Sequence, residues 1–195
     1  MKRIGLMGGS FNPVHIGHLM IASYVRQTCE LDEVWLMLSP LNPLKANNMD
    51  IADDKERMNM LRLACEKQTG VIPCDIELSL PRPSFTIDTL RHLKERYPEY
   101  EFSLIIGGDN WSRFDLWKNH KEILSSYNIY VYPRPGEILN SINLPSSVTI
   151  VNGPGIDLSG SFIRKSIQYG IDISVFLPLG VSDYIKNHYL YIPKN

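Results

Sequence analysis

Short apolar runs alternate along the chain with longer amphipathic ones, and polar, glycine-rich or proline-rich breaks separate them. A brief apolar run between breaks reads as a buried strand, and apolar positions recurring every three or four residues read as a helix. Ile4 to Met7 is such a strand. Asn12-Pro13 predicts the start of a helix running to about Cys29, because Asn caps well and Pro suits the first helical turn. Val34 to Leu38 is a second strand, and Leu41 to Met49, with Asn, Pro and Lys but no period, is a loop. Ala52 to Gln68 is helical, with Met58, Leu61, Ala64 and Cys65 on one stripe. Val71 to Leu80 reads as a strand although it contains Pro73, Phe85 to Arg96 as a helix, and Phe102 to Ile106 as a central strand. Trp117 to Tyr127 predicts a helix, Ile129 to Tyr132 and Val148 to Val151 predict strands, and Ser161 to Tyr169 and Val181 to Tyr189 predict the last helices. Glu137 to Ser147 is a candidate surface loop.

Strands alternating with helices imply an α/β fold: a Rossmann-like, doubly wound, mainly parallel sheet with helices on both faces. No internal repeat and no second domain interrupts the pattern, so residues 1–195 are expected to form a single domain. Sheets of this kind bind ligands beyond the carboxyl ends of their strands, where the strand order reverses. That singles out the segments following Met7, Leu38, Ile106 and Val151, and the glycines and polar residues do collect there.

Composition narrows the classes. The 195 residues are 44% hydrophobic and 21% charged with a net charge of −1, which is ordinary for a globular chain able to bury a core. Near-neutrality excludes a protein that holds nucleic acid by bulk electrostatics, but not one that takes a small anion in a local cluster of donors. Cys29, Cys65 and Cys74 share no C-x-x-C spacing, so neither a disulfide framework nor a zinc site is suggested, and free thiols fit a reducing cytoplasm. The apolar N-terminal run stops at Gly8-Gly9, too early for a signal peptide, and no uncharged stretch approaches the roughly 20 residues that span a bilayer. The expectation is a cytoplasmic protein without membrane or nucleic-acid partners, and a homo-oligomer is compatible with the sequence.

The strongest chemical signal is Gly8-Gly9-Ser10-Phe11-Asn12-Pro13-Val14-His15-Ile16-Gly17-His18, which joins the first strand to the first helix. Glycines let the backbone approach a ligand, and a helix start adds free N–H groups and partial positive charge, so together they form an anion site. His15 and His18, three apart, share one helix face; they can donate to phosphate oxygens and, if protonated, also neutralise charge. The same spacing could serve a metal, but no third ligand stands nearby. A second signal is Ser159-Gly160-Ser161-Phe162-Ile163-Arg164, where Ser159 or Ser161 can cap a helix and Arg164 lies one turn beyond Ser161, so that hydroxyl and guanidinium can reach one phosphate chain. Read alone, it is a capped surface helix with an exposed arginine rather than a phosphate site.

Gly9-Ser10-Phe11 with His15-Ile16-Gly17-His18 resembles the HxGH signature of the nucleotidylyltransferase superfamily. Class I aminoacyl-tRNA synthetases share that signature, but their lysine-rich KMSKS loop is missing and 195 residues leave no room for a tRNA-binding domain. Ser161 and Arg164 resemble the superfamily's second signature, Ser/Thr-x-x-x-Arg, with Gly160 standing where many relatives have Ser or Thr. Ile105-Ile106-Gly107-Gly108-Asp109-Asn110-Trp111, Trp117 eight residues after Asp109, Ser84-Phe85-Thr86-Ile87-Asp88-Thr89-Leu90, Lys45 and Arg134-Pro135-Gly136 are similar to motifs of the bacterial nicotinate mononucleotide adenylyltransferases. The resemblance runs from Lys2 to about Tyr191.

The resemblance implies adenylyl transfer from ATP to nicotinate mononucleotide, giving deamido-NAD and pyrophosphate in NAD biosynthesis, with Mg²⁺ accompanying ATP. His15, His18, Arg164 and Lys45 would be catalytic. Gly8, Gly9, Ser10, Phe11, Gly107, Asp109 and Ser161 would complete the ATP site with the two histidines and Arg164. Ser84, Thr86, Asp109, Trp117 and Arg134 would bind the mononucleotide, with backbone N–H groups near Thr86 and Trp117 on the carboxylate and Trp117 against the pyridine. Read without it, Asp109 could merely cap a helix and both Trp111 and Trp117 could be core; with it, Trp111 stays core. No protein metal site is expected. Nicotinamide mononucleotide, phosphopantetheine, or ATP/NAD sensing without turnover are the rival readings. Arg57, in the charged turn Asp53-Asp54-Lys55-Glu56-Arg57, reads as a surface ion-pair residue, and Tyr184 to Tyr191 as packing.

Overall fold

The computed structural model describes residues 1–40, 52–136 and 144–192. Lys45, the Leu41 to Met49 loop and most of the Glu137 to Ser147 loop lie outside them. Six strands form one sheet in the order β3-β2-β1-β4-β5-β6, with every neighbouring pair parallel. They are β1 (Lys2–Gly9), β2 (Glu33–Leu38), β3 (Val71–Cys74), β4 (Tyr100–Gly107), β5 (Asn128–Tyr132) and β6 (Val148–Ile150). The helices are α1 (Ile16–Thr28), α2 (Asp54–Cys65), α3 (Thr86–Arg96), α4 (Gly108–Trp111), α5 (His120–Ser126), α6 (Gly160–Gln168) and α7 (Val181–Asn187). The order reverses between β1 and β4, so a crevice opens at the ends of those two strands, at Gly9 and Gly107.

Alternation along the strands builds two cores. Leu36 and Leu38 on β2 and Ile105 on β4 pack against α1, α2, α6 and α7 through residues such as Ala22, Leu61, Ile163 and Val181. Ile4 and Leu6 on β1 with Phe102, Leu104 and Ile106 on β4 pack against α3 and α5 through Ile87, Leu90 and Ile123. Each fully buried aliphatic side chain contributes roughly 1.5–3 kcal/mol, so both faces must be covered for the central strands to be stable. The expected doubly wound α/β architecture is the one observed.

Four local expectations are corrected. Asn12-Pro13 does not start α1; His15 is the N-cap and the helix begins at Ile16. Asn12 is diverted because its side-chain oxygen accepts from the Ala52 N–H (3.1 Å) and the Tyr191 hydroxyl (2.8 Å), and so cannot cap. The expected strand to Leu80 ends at Cys74, where its pairing with β2 ends, and the chain turns into a 3₁₀ segment, Ile76–Ser79, that buries Ile76 and Glu77. The helix expected from Trp117 begins only at His120, after a 3₁₀ turn over Phe114–Leu116 and a left-handed Asn119. Arg57 is not a surface residue: its side chain is fully buried.

Candidate active site

A cavity of about 470 Å³ lies over the crevice between β1 and β4. One wall is the β1–α1 connection, contributing Gly8, Gly9, Ser10, Phe11, His15 and His18. Ser161 and Arg164 enter from α6. Gly107 and Asp109 enter from the end of β4, with Arg134 beyond β5. Ser84, Thr86 and Trp117 close the far side. Every site residue expected from the sequence and lying among the described residues thus borders one cavity, whose size suits a nucleotide-sized ligand.

The imidazoles are tightly organised. The His15 and His18 rings stack with centroids 3.7 Å apart, and the Phe11 ring meets His18 edge-on at 4.9 Å. The His15 backbone N–H donates to His18 Nδ1 at 3.1 Å. Nδ1 of His18 is therefore an acceptor, and the proton of the neutral ring is assigned to Nε2, which is left as a donor. Burial, with the Arg134 guanidinium adding to it, holds His15 down to about 4. Burial, His15 and Arg134 hold His18 well below the usual histidine range. Both rings are neutral near pH 7, so the protonated alternative does not apply. The glycine of the HxGH motif has a steric reason: a Cβ on Gly17 would stand 3.0 Å from both His15 Nδ1 and Ile156 Cγ2, displacing the ring.

The two ends of the chain meet at Asn12. Arg164 Nη1 donates to the Asn12 carbonyl at 2.8 Å, and Nη2 reaches Ser161 Oγ at 3.4 Å. Of the two candidate caps, Ser159 is the one used: its Oγ accepts from the Phe162 N–H at 3.2 Å. A Cβ on Gly160 would lie 2.7 Å from the same Asn12 carbonyl, so a serine or threonine there cannot coexist with this contact.

Behind the β1–α1 wall of the cavity stands Arg57. Its Nη1 donates to the carbonyls of Ser10 (2.6 Å) and Ser39 (3.1 Å), its Nε to that of Ala52 (2.9 Å), and its Nη2 to Asp54. Ser39 also donates its N–H to Gly9 at 2.9 Å and its hydroxyl to Glu77 Oε2 at 2.7 Å. These supporting residues were missed, but Arg57 had a signal. It precedes Met60, Leu61 and Ala64 by three, four and seven positions, on their buried stripe.

At the other end, α3 starts with Phe85 as N-cap and no side-chain cap, which leaves first-turn N–H groups without an intrahelical partner. Trp117 borders the cavity beside it, whereas Trp111, stacked on Phe114 at 5.3 Å, packs on the second core without lining the cavity. Asp109 Oδ1 lies 3.4 Å from Arg134 Nε. The donors at the His15, His18 and Arg164 end, imidazole N–H and guanidinium, suit phosphate oxygens rather than a cation. Among the described residues no three His, Cys, Asp or Glu side chains gather as a metal site, and no helix is long and apolar enough to cross a membrane.

Residues 6–166 match the cytidylyltransferase-like family. Proteins of Flavobacterium johnsoniae and Bacteroides fragilis, each named "probable nicotinate-nucleotide adenylyltransferase", are 42% identical over 97% of this chain and 98% of theirs, and 46% identical over 90% and 87%. The fold is shared with Plasmodium falciparum nicotinic acid mononucleotide adenylyltransferase solved in complex with NaAD, at a TM-score of 0.81 and 20% identity, covering 98% of each chain. The chain belongs to the cytidylyltransferase-like family and, within it, to the nicotinate-nucleotide adenylyltransferases.

Proposed function

We propose that the enzyme transfers AMP from ATP to nicotinate mononucleotide, forming deamido-NAD and pyrophosphate in the cytoplasm. The observation that carries the reading is one cavity with two chemically different ends. His18, His15 and Arg164 present N–H donors at one, and Trp117 offers a flat apolar face beside the uncapped start of α3 at the other. The names of the relatives at 42% and 46% identity support the same acceptor.

In this reading a 5′-phosphate oxygen of the mononucleotide attacks the α-phosphorus of ATP in line. The new P–O bond forms as the bond to the β-phosphate bridging oxygen breaks, and pyrophosphate leaves with that electron pair. The nucleophile is already an anion, so no general base and no covalent intermediate are needed, and catalysis is positioning and charge stabilisation. His18 donates from Nε2 to the α-phosphate with His15 beside it, Arg164 and Ser161 hold the β- and γ-phosphates, and Lys45 adds charge. Gly8, Gly9, Ser10, Phe11 and Gly107 border the nucleotide, and Asp109 accepts from ribose hydroxyls. Ser84, Thr86 and Arg134 complete the mononucleotide end. ATP would enter as its magnesium complex, whose ion would offset part of the triphosphate charge and ask few ligands of the protein.

The test is pyrophosphate release from purified protein with ATP and Mg²⁺, offering nicotinate mononucleotide, nicotinamide mononucleotide and phosphopantetheine in parallel. Strong release with the first is expected. Release with only another acceptor would overturn the roles of Thr86 and Trp117, and binding of ATP without release in any arm would leave a sensing module.

A further inference from the structure

Glu77 is a carboxylate inside the cavity wall that no step above uses. It is 3% exposed, lies in the 3₁₀ segment after β3 and borders the cavity. A buried carboxylate is costly unless paired or hydrogen-bonded. Among the described residues no salt bridge reaches it. Its two oxygens accept instead from two hydroxyls on different elements: Oε2 from Ser39 Oγ at 2.7 Å, just past β2, and Oε1 from Thr89 Oγ1 at 3.0 Å, in α3. Burial raises its pKa above the ordinary carboxylate range, and hydrogen bonds from Ser39, Thr89 and Ser84 work against that rise.

Ser39 is itself anchored to the β1–α1 wall, through its N–H to Gly9 and its carbonyl to Arg57. Thr89 lies three residues beyond Thr86, the first residue of α3. The carboxylate therefore links the rigid end of the sheet to the helix whose free N–H groups face the acceptor end.

We propose that Glu77 is a positioning residue for the acceptor: by accepting from Ser39 and Thr89 it sets the height of the α3 N-terminus over the sheet, and hence the fit of the pyridine nucleotide. The assignment rests on the functional reading above. A site whose donors must be held to a fraction of an ångström depends on such supports. Loss of the acceptor leaves the Ser39 hydroxyl without its partner and Thr89 with the Phe85 carbonyl at 3.3 Å in its own helix, so α3 is no longer tied to the sheet through this carboxylate. ATP, held by the histidines and Arg164, is spared.

The experiment compares wild type with Glu77→Ala, Glu77→Gln and Thr89→Val, measuring KM for nicotinate mononucleotide, KM for ATP, kcat and the thermal midpoint. Glu77→Ala is expected to raise the mononucleotide KM on the order of tenfold or more, the loss of a hydrogen-bonded support, with the ATP KM moved less than about twofold. Glu77→Gln keeps an acceptor oxygen and should restore the mononucleotide KM to within about threefold of wild type. Thr89→Val removes a single donor and gives a smaller shift in the same direction, so the proposal is testable even if the alanine variant does not fold. Equal rises in both KM values, an unmoved mononucleotide KM in a folded Thr89→Val protein, or a Gln variant as impaired as Ala would overturn it. Wild-type protein without turnover of nicotinate mononucleotide would instead overturn the functional reading, and this assignment with it.

Discussion

Arg164 donates to the backbone carbonyl of Asn12 at 2.8 Å across 152 positions of sequence, so the C-terminal signature is bonded to the loop between β1 and α1. The carbonyl that receives this bond also fixes what can stand at position 160, since a Cβ there would approach it to 2.7 Å. Gly160→Ser is expected to push α6 off the loop. The overpacking costs about 1–3 kcal/mol, and the ATP KM should rise severalfold as Arg164 is displaced. Denaturant unfolding and ATP kinetics check this, and a Gly160→Ser protein matching wild type in both would show that the helix shifts freely.

His18 is the residue whose loss should damage the chemical step most. By analogy with removal of one preorganised donor, His18→Ala should lower kcat by roughly 10²–10³-fold. Steady-state kcat at saturating substrates is the measurement, and a value within about twofold of wild type would remove His18 from the α-phosphate.

Trp117→Ala separates the two ends of the cavity. The lost aromatic face should weaken the mononucleotide far more than ATP. Paired titrations of the two substrates give the comparison, and equal losses would take Trp117 out of the pyridine site.

Arg57 is a fully buried cation holding the carbonyls of Ser10, Ser39 and Ala52. Arg57→Met leaves those carbonyls and Asp54 without it. Asp54 keeps Arg82, so the cost lies in the carbonyls, about 1–3 kcal/mol for a buried group left unsatisfied, and the urea midpoint should fall. A midpoint unchanged within error would mean that water replaces the guanidinium at little cost.

Burial of neutral His15 gives stability a pH dependence. In the unfolded chain this histidine titrates near 6.5, in the folded one at about 4. Between those values the unfolded state binds the extra proton. The contribution is therefore complete above 6.5 and is lost as pH falls towards 4, by roughly 3 kcal/mol in all at 1.36 kcal/mol per pKa unit. Urea unfolding from pH 7 to 4.5 should show a steeper loss in wild type than in His15→Asn, and parallel curves would contradict a buried neutral ring.

The glycines and histidines stood out because they join an apolar strand run to an amphipathic helix, whereas Ser161 and Arg164 were picked out by their resemblance to a family signature and not by periodicity. The doubly wound architecture followed from the alternation of apolar runs. Strand order did not, because pairing β1 with β4 is a long-range event that leaves no local mark. Asn12 was misread for a related reason: its side chain is taken by Ala52 and Tyr191, the latter 179 positions away. Arg57 and Glu77 were missed because their partners, backbone carbonyls in one case and the hydroxyls of Ser39 and Thr89 in the other, come together only in three dimensions.

The hydrogen bond from the His15 backbone to His18 Nδ1 has a kinetic reach. A ring whose Nδ1 is occupied by the start of its own helix cannot pass a proton from one nitrogen to the other without giving up that bond. His18 is thereby a fixed donor and not a shuttle. The rate from pH 7 upwards should run flat, with no limb belonging to this histidine, until some other group in the site begins to titrate.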